Sequence, residues 1–148
     1  MAELLTDAAF YLSLALPDLS QPEVLDNETE PDRARLRLRY EYVGSLDPIA
    51  QRLLGSDRLA WIQEVEVDRS AASGTLRFEA EKDPKRLHGS ADFVLTPVDH
   101  GVQRRLHGEL VVAVPGIGRM AERRIVPGLL RRMDVEAVGI NQELERRP

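Results

Sequence analysis

The sequence predicts an α+β fold in which one curved antiparallel sheet of about six strands packs against a long C-terminal helix. Residues 33–42 alternate strictly between charged and apolar side chains, which is typical of a strand with one buried face. Four further alternating segments follow, and a helical period replaces them from residue 117 to residue 146. Because short loops join the strands, we expect neighbours in sequence to be neighbours in the sheet.

A short helix is expected near the start of the chain. Thr6 or Asp7 can cap it, and the proline after Leu16 ends it at about residue 15, because the residue before a proline avoids the helical region. A short helical turn is expected from Asp47 to Leu54. The strands are expected at residues 22–28, 33–42, 59–68, 75–81, 87–98 and 102–114.

The long helix is the only apolar stripe able to cover the sheet, so the two are expected to pack together. Pro127 lies inside the helical pattern and removes a backbone donor, which predicts a kink or a break. The face expected to meet the sheet carries Val126, Leu130, Met133, Ala137, Ile140 and Leu144.

Composition excludes several classes of protein. A chain of 148 residues suits a single domain, residues 1–148. The absence of cysteine excludes a disulfide scaffold and fits the reducing cytoplasm, where we expect the protein. A net charge of −5 argues against nucleic acid as a partner. No apolar run reaches the ~18 residues of a membrane span, so integral membrane insertion is not expected.

Two sets of arginines have competing interpretations. The outward strip Arg33, Arg35, Arg37 and Arg39 suggests phosphate binding, but Glu64, Glu66, Asp68, Glu79 and Glu81 on the next strands favour neutralisation by cross-strand pairs. The helix carries Arg119, Arg123, Arg124, Arg131 and Arg132, which we interpret as a solvated face; the alternative is contact with lipid headgroups or a protein partner.

Five stretches resemble the domain-of-unknown-function 2505 family, an actinobacterial branch of the START/SRPBCC (birch-pollen-allergen-like) superfamily. They are LPDLSQPEVL, RARLRLRYEYVGSLDP, LAWIQEVEVD, RRLHGELVVAVPGIG and RRIVPGLLRRMDVEA, in this order. The resemblance implies a single helix-grip domain. It also implies a cavity between the sheet and the C-terminal helix that holds a hydrophobic or lipid-like small molecule.

One departure from the family concerns the first strand, which is apparently missing. Family members normally begin with a strand that pairs beside residues 102–114, whereas this sequence opens in the helical region. We therefore expect a shortened chain start or an unusual sheet edge. Since an uncovered strand edge invites pairing with another chain, a homodimer through the 102–114 edge is one expectation.

Given that fold, the cavity is expected to be lined by inward strand residues and two helix residues. Among these residues, burial of Arg104 is energetically unfavourable unless its charge is compensated. A buried arginine must pair with an acid, reach water or bind a ligand anion. We favour the reading that it reaches solvent at the sheet margin, with ligand anchoring as the alternative. The expected lining residues are Tyr40, Tyr42, Trp61, Gln63, Phe78, Phe93, Arg104, Met133 and Ile140.

The leading functional hypothesis is a non-catalytic binding or carrier protein. One alternative is a protein–protein interaction module with a filled core. Another is an enzyme similar to polyketide cyclases and aromatases, in which Arg104, Tyr40 and Gln63 would orient the substrate. The sequence disfavours catalysis because no inward general base is apparent. We expect no metal or other cofactor, since the three histidines do not converge with further ligands.

Overall fold

The computed structural model describes residues 1–45, 48, 51 and 58–147. Six strands form one antiparallel sheet in sequence order, with β1 and β6 at its edges. The strands are β1 (Glu23–Thr29), β2 (Arg33–Glu41), β3 (Ala60–Asp68), β4 (Ser73–Ala80), β5 (Leu87–Val98) and β6 (Gly101–Val112). The helices are a 3-10 turn (Leu4–Thr6), α1 (Ala8–Ser13) and α2 (Gly118–Arg146). The predicted α+β architecture is confirmed.

Strand β2 shows the predicted alternation clearly. Leu36 and Leu38 are fully buried and Tyr40 is 1% exposed, while the arginines between them face outward. Apolar burial of this kind contributes about 25 cal/mol per Å², so the register of β2 is strongly fixed. The helical turn expected from Asp47 to Leu54 lies outside the described residues, apart from Pro48 and Gln51.

The outer face of the sheet is neutralised by cross-strand ion pairs, as predicted. Arg37 pairs with Glu64 on β3 at 3.5 Å, and Arg39 pairs with Glu81 at 2.9 Å. Arg35 pairs instead with the acids of β1, including Asp26 at 2.8 Å. Such exposed pairs contribute a fraction of a kcal/mol each, and they leave little free positive charge along the strip.

The N-terminal segment covers one end of the inner face. The Asp7 carboxylate caps α1 by accepting from the backbone N–H groups of Ala9 (2.9 Å) and Phe10 (3.3 Å), which confirms the predicted cap. The helix ends at Ser13, earlier than expected. Leu5 of the preceding 3-10 turn is fully buried in the core.

Two glycines let aromatic rings lie directly on the sheet. Gly74 pairs with Phe93, and Gly89 pairs with Phe78, across neighbouring strands. A Cβ at position 74 would lie 2.4 Å from the Phe93 ring, and one at position 89 would lie 2.4 Å from the Phe78 ring. Both rings therefore occupy the space of an absent side chain.

The predicted face of α2 is partly wrong. Ile140 is buried and Val126 and Met133 are half-buried, but Leu130 is 55% exposed and Leu144 is 37% exposed. Ala137 is exposed as well. The helix is rotated so that polar side chains share the inner face with Ile140. Of the kink or break expected at Pro127, the break is wrong, because α2 runs through this residue as one helix, while the kink stays a prediction.

No helix in the described ranges has the length and apolar character that crossing a membrane requires.

Candidate functional site

Part of the predicted site comes together on the inner face of β2, β3 and β4. Tyr40 lies opposite Trp61, and in the next row Gln63 lies opposite Phe78. The Tyr40 and Trp61 rings stack, with centroids 5.8 Å apart and planes at 22°. Tyr40 and Gln63 are buried, whereas Trp61 and Phe78 are half-buried. The group of four therefore runs from the closed interior toward solvent.

Arg132 reaches this group from α2. Its guanidinium carbon lies 4.6 Å from the Tyr40 ring centroid and 5.8 Å from that of Trp61, which is cation–π geometry. Arg132 Nη2 also donates a hydrogen bond to Gln63 Oε1. The interpretation of Arg132 as part of a solvated helix face is therefore wrong, because the rotation of α2 turns this residue toward the sheet.

A buried ion pair lies further along α2. Arg104 Nη1 on β6 donates to Glu136 Oε1 at 3.0 Å, and the two side chains are only 13% and 8% exposed. Tyr11 Oη lies 3.5 Å from the same oxygen. The favoured reading that Arg104 reaches solvent is wrong, since it pairs inside the protein. The expectation that no general base points inward is also wrong, because the carboxylate of Glu136 is buried on this side of the sheet.

Burial shifts the pKa values of both inward tyrosines. It raises the pKa of Tyr11 well above its usual range, and the negative charge of Glu136 acts in the same direction. Burial also raises the pKa of Tyr40 to about 12, although the positive charge of Arg132 opposes the shift. Both hydroxyls are therefore protonated at neutral pH. They can donate hydrogen bonds but cannot act as general bases there.

The other predicted contact residues are spread over the inner face. Phe93 and Ile140 lie in the buried core, and Met133 is half-buried on α2. Tyr42 lies apart from the group, beyond the end of β2, where its hydroxyl donates to the Ser45 carbonyl oxygen at 3.2 Å. Ligand contact by the predicted lining residues stays a prediction.

Sequence reasoning missed Arg132, Glu136 and Tyr11. A usable signal for the first two was present. Residues 132, 136 and 140 follow one another at intervals of four, so they share a helix face with buried Ile140. An inward Arg104 also requires a carboxylate partner. For Tyr11 no comparable signal exists, because its contact with Glu136 spans 125 residues.

An open groove of about 530 Å³ is lined mostly by outward residues at one end of the sheet, including five acids and two arginines. Phe93 is the one predicted contact residue that also lines it. No group of three or more metal-ligating side chains occurs among the described residues. The groove is lined by Glu28, Glu30, Arg33, Ala34, Arg35, Glu66, Val67, Asp68, Ser73, Gly74, Thr75, Asp92, Phe93 and Val94.

Comparison with known proteins places this arrangement in a fold and a family. The Zhui aromatase/cyclase from Streptomyces sp. R1128 is similar in structure, with a TM-score of 0.61 at 16% sequence identity over 99% of this chain and 85% of that chain. This likeness shows the helix-grip fold. No curated protein matches the chain. The model of the family described as "Protein of unknown function (DUF2505)" matches residues 1–142, and the chain belongs to this family.

Proposed function

We propose that the protein binds a hydrophobic or amphipathic, lipid-like small molecule between the sheet and α2. One observation carries the proposal. Trp61, Phe78 and Leu106 point toward the helix from three different strands, yet each is only half-buried. An inward apolar face that its own chain covers incompletely offers surface to an apolar molecule, and burial of that surface would drive binding.

The structure divides the proposed contact residues by depth. Trp61, Phe78 and Met133 are half-buried and would meet the apolar part of the ligand. Tyr40 and Gln63 are buried behind them and would meet its polar part. The remaining members of the proposed set lie deeper or at the margin: Phe93, Arg104 and Ile140 in the interior, and Tyr42 beyond β2.

The experiment combines native mass spectrometry with a dye-binding assay. Mass spectrometry of the purified protein would reveal a co-purifying lipid. Nile red, a neutral apolar dye, is then titrated into delipidated protein, where its fluorescence is expected to rise on binding. Phe78→Ala should weaken dye binding about tenfold, because the ring supplies apolar contact area. The matched control is Val94→Ala on the outer face, where the side chain is 53% exposed and no change is expected.

The assay separates this proposal from its main alternative. If no lipid co-purifies and the wild-type protein does not bind the dye, the binding proposal is rejected. The interaction module with a filled core then becomes the better hypothesis. If Phe78→Ala and Val94→Ala weaken dye binding equally, this result would also count against a site between the sheet and the helix.

Catalysis of the aromatase/cyclase type is the second candidate. It is favoured by the ionisable groups of the interior, since Tyr40 is held protonated and can serve as a proton donor beside Arg132. A linear poly-β-ketone thioester incubated with the protein should then yield an aromatic product that absorbs in the near ultraviolet. Tyr40→Phe should lower the rate, and an unchanged rate would reject the role of the hydroxyl.

We further propose a homodimer in which β6 pairs with β6 of a second copy. β6 forms an edge of the described sheet. Antiparallel pairing centred on His107 would place Arg105 of each copy opposite Glu109 of the other, which gives two opposite-charge pairs.

Backbone geometry is compatible with this register. Ala113 N–H donates toward β5, to Arg86 O, whereas the Val112 N–H donates to the Glu122 carboxylate. Even-numbered residues of β6 thus direct their backbone groups away from β5. Pairing about His107 would join even-numbered residues through hydrogen bonds, as an antiparallel ladder requires.

Sedimentation velocity tests the dimer. Wild-type protein should sediment as a dimer, and Glu109→Arg should shift it toward monomer through like-charge repulsion with Arg105. The combined variant Arg105→Glu, Glu109→Arg should restore the dimer. A monomeric wild type, or a double variant that behaves like the single one, would reject this pairing.

A further inference from the structure

Two buried polar atoms without partners lie close together at the inner end of the site. Tyr40 Oη and Arg132 Nε are both shielded from solvent, and neither has a hydrogen-bond partner of good geometry within the described part of the chain, although Arg132 lies near enough to the Tyr40 hydroxyl to oppose the rise in its pKa. The Tyr40 side chain is 1% exposed, and the guanidinium of Arg132 lies over its ring. Buried polar groups in native proteins are nearly always paired, so two adjacent exceptions indicate that a further group binds here.

Both orphaned atoms are donors. The pKa of Tyr40, raised by burial to about 12, keeps the hydroxyl protonated, and an arginine guanidinium carries only N–H groups. The Tyr40 oxygen can also accept, but Arg132 offers no acceptor for the Tyr40 proton, so the missing group must include an acceptor. One oxygen would satisfy either atom, and a group with two oxygens would satisfy both.

The charge balance around these atoms is positive. Arg132 forms no salt bridge among residues 1–45 and 58–147, and its hydrogen-bond partner Gln63 is neutral. Glu136, one helical turn away, is engaged by Arg104. The two arginines and one glutamate thus leave one positive charge beside the orphaned donors. A negatively charged acceptor fits this balance better than a neutral one.

We propose that Tyr40 and Arg132 bind the carboxylate of an amphipathic ligand whose apolar part lies along Trp61 and Phe78. This inference rests on the proposed binding function and names the chemical class of the ligand, an amphipathic molecule with an apolar chain and one carboxylate. One carboxylate oxygen accepts from Arg132 Nε and the other from Tyr40 Oη. The half-buried rings of Trp61 and Phe78 lead from this point toward solvent.

The chain provides its own reporter for this site. Trp61 is the only tryptophan of the 148 residues and stacks on Tyr40, so its fluorescence responds to a molecule bound beside it. Delipidated protein is titrated with decanoate and, separately, with decanol, which has the same chain length and no charge. We expect decanoate to bind about tenfold more tightly than decanol at pH 7.

Matched variants locate the selectivity. Tyr40→Phe removes only an oxygen that has no partner, so the fold should be retained while decanoate loses most of its advantage over decanol. Arg132→Lys keeps the charge but removes the Nε donor, and it should lower the preference as well. The control is Arg131→Lys on the exposed helix surface, which makes the same chemical change one residue away and should keep wild-type selectivity.

The outcomes distinguish this inference from the function on which it rests. If decanoate and decanol bind equally, or if Tyr40→Phe keeps the full preference for decanoate, the carboxylate site is rejected while binding of apolar molecules stands. If neither compound nor Nile red binds, the proposed function itself fails. Preference for decanoate that disappears in Tyr40→Phe and Arg132→Lys and persists in Arg131→Lys supports the inference.

Discussion

The inner face of the sheet has two halves that differ in what covers them. On β2 and β3, Leu36, Leu38 and Val67 are at most 1% exposed, because the 3-10 turn packs on these strands and contributes Leu5 to the core. Toward β4 and β6, Phe78 and Leu106 are only half-buried, although Phe93 on the intervening β5 is buried, and α2 packs on β6. The strands of both halves alternate in the same way, so burial depends on the covering segment rather than on the strand pattern.

The largest expected effect tests this difference directly. Leu36→Ala removes a fully buried side chain and should lower the free energy of unfolding by about 4 kcal/mol. Leu106→Ala makes the same chemical change on the half-buried side and should cost about half of that. Urea denaturation followed by circular dichroism measures both. Equal losses would contradict the division into two halves.

A second prediction concerns the point where the halves meet. Glu136 contacts Tyr11 of α1 and Arg104 of β6, so it joins the two covering helices to the sheet. Glu136→Gln leaves Arg104 buried without its counter-charge and should cost about 3 kcal/mol. Glu145→Gln, at an exposed position of the same helix, is the control and should change stability by less than about 0.5 kcal/mol. If Glu136→Gln leaves the free energy of unfolding unchanged, the ion pair with Arg104 does not contribute to stability.

The smallest effect concerns the link between the covering segments. Asp7 caps α1 and pairs with Arg147, at the end of α2, at 2.7 Å. Asp7→Ala should cost about 1 kcal/mol at pH 7 through loss of the cap. Asp134→Ala, which changes an exposed carboxylate on α2, should cost little at any pH.

The effect of Asp7 should depend on pH. Partial burial alone would raise the pKa of Asp7, but the hydrogen bonds from Arg147 and from the backbone of Phe10 and Ala9 lower it below its ordinary 3.8. A carboxyl whose pKa is lower in the folded state stabilises the protein above the unfolded pKa, and this contribution is lost as pH falls through the folded value. The difference in the free energy of unfolding between wild type and Asp7→Ala should therefore persist from pH 7 to about 5 and become smaller below a pH of about 4. If this difference in stability does not change with pH, the ionised carboxylate of Asp7 is not what stabilises the start of α1.

The strands were predictable because their signal is local. Side chains in a strand alternate with a period of two, so the positions of Leu36, Leu38 and Tyr40 on the inner face follow from residue order alone. The cross-strand pairs of Arg37 and Arg39 were predictable for the same reason. Neighbouring strands in a meander bring known outward positions together, and only the exact partner depends on the register.

The rotation of α2 was not predictable in this way. Apolar residues occur on several sides of this helix, so more than one face could meet the sheet. Leu129 and Leu130, for example, indicate different faces, and so do Val135 and Ala137. The buried polar contacts of α2 determine which face of the helix meets the sheet. Arg132 bonds Gln63 across 69 residues and Glu136 bonds Arg104 across 32. The spacing of residues 132, 136 and 140 indicates a shared face, but it does not identify these distant partners. The candidate site depends on these contacts and was therefore predicted only from its sheet side.

The two glycine–phenylalanine pairs described above determine how deep the interior is. Because the rings of Phe78 and Phe93 rest on bare backbone, they take up little height above the sheet. A methyl group at position 89 would lift the Phe78 ring toward α2 and make the space beneath the helix shallower by roughly the thickness of that methyl. Exchange of one hydrogen atom for a methyl group at residue 89 would thus change the size of ligand that the proposed site could take.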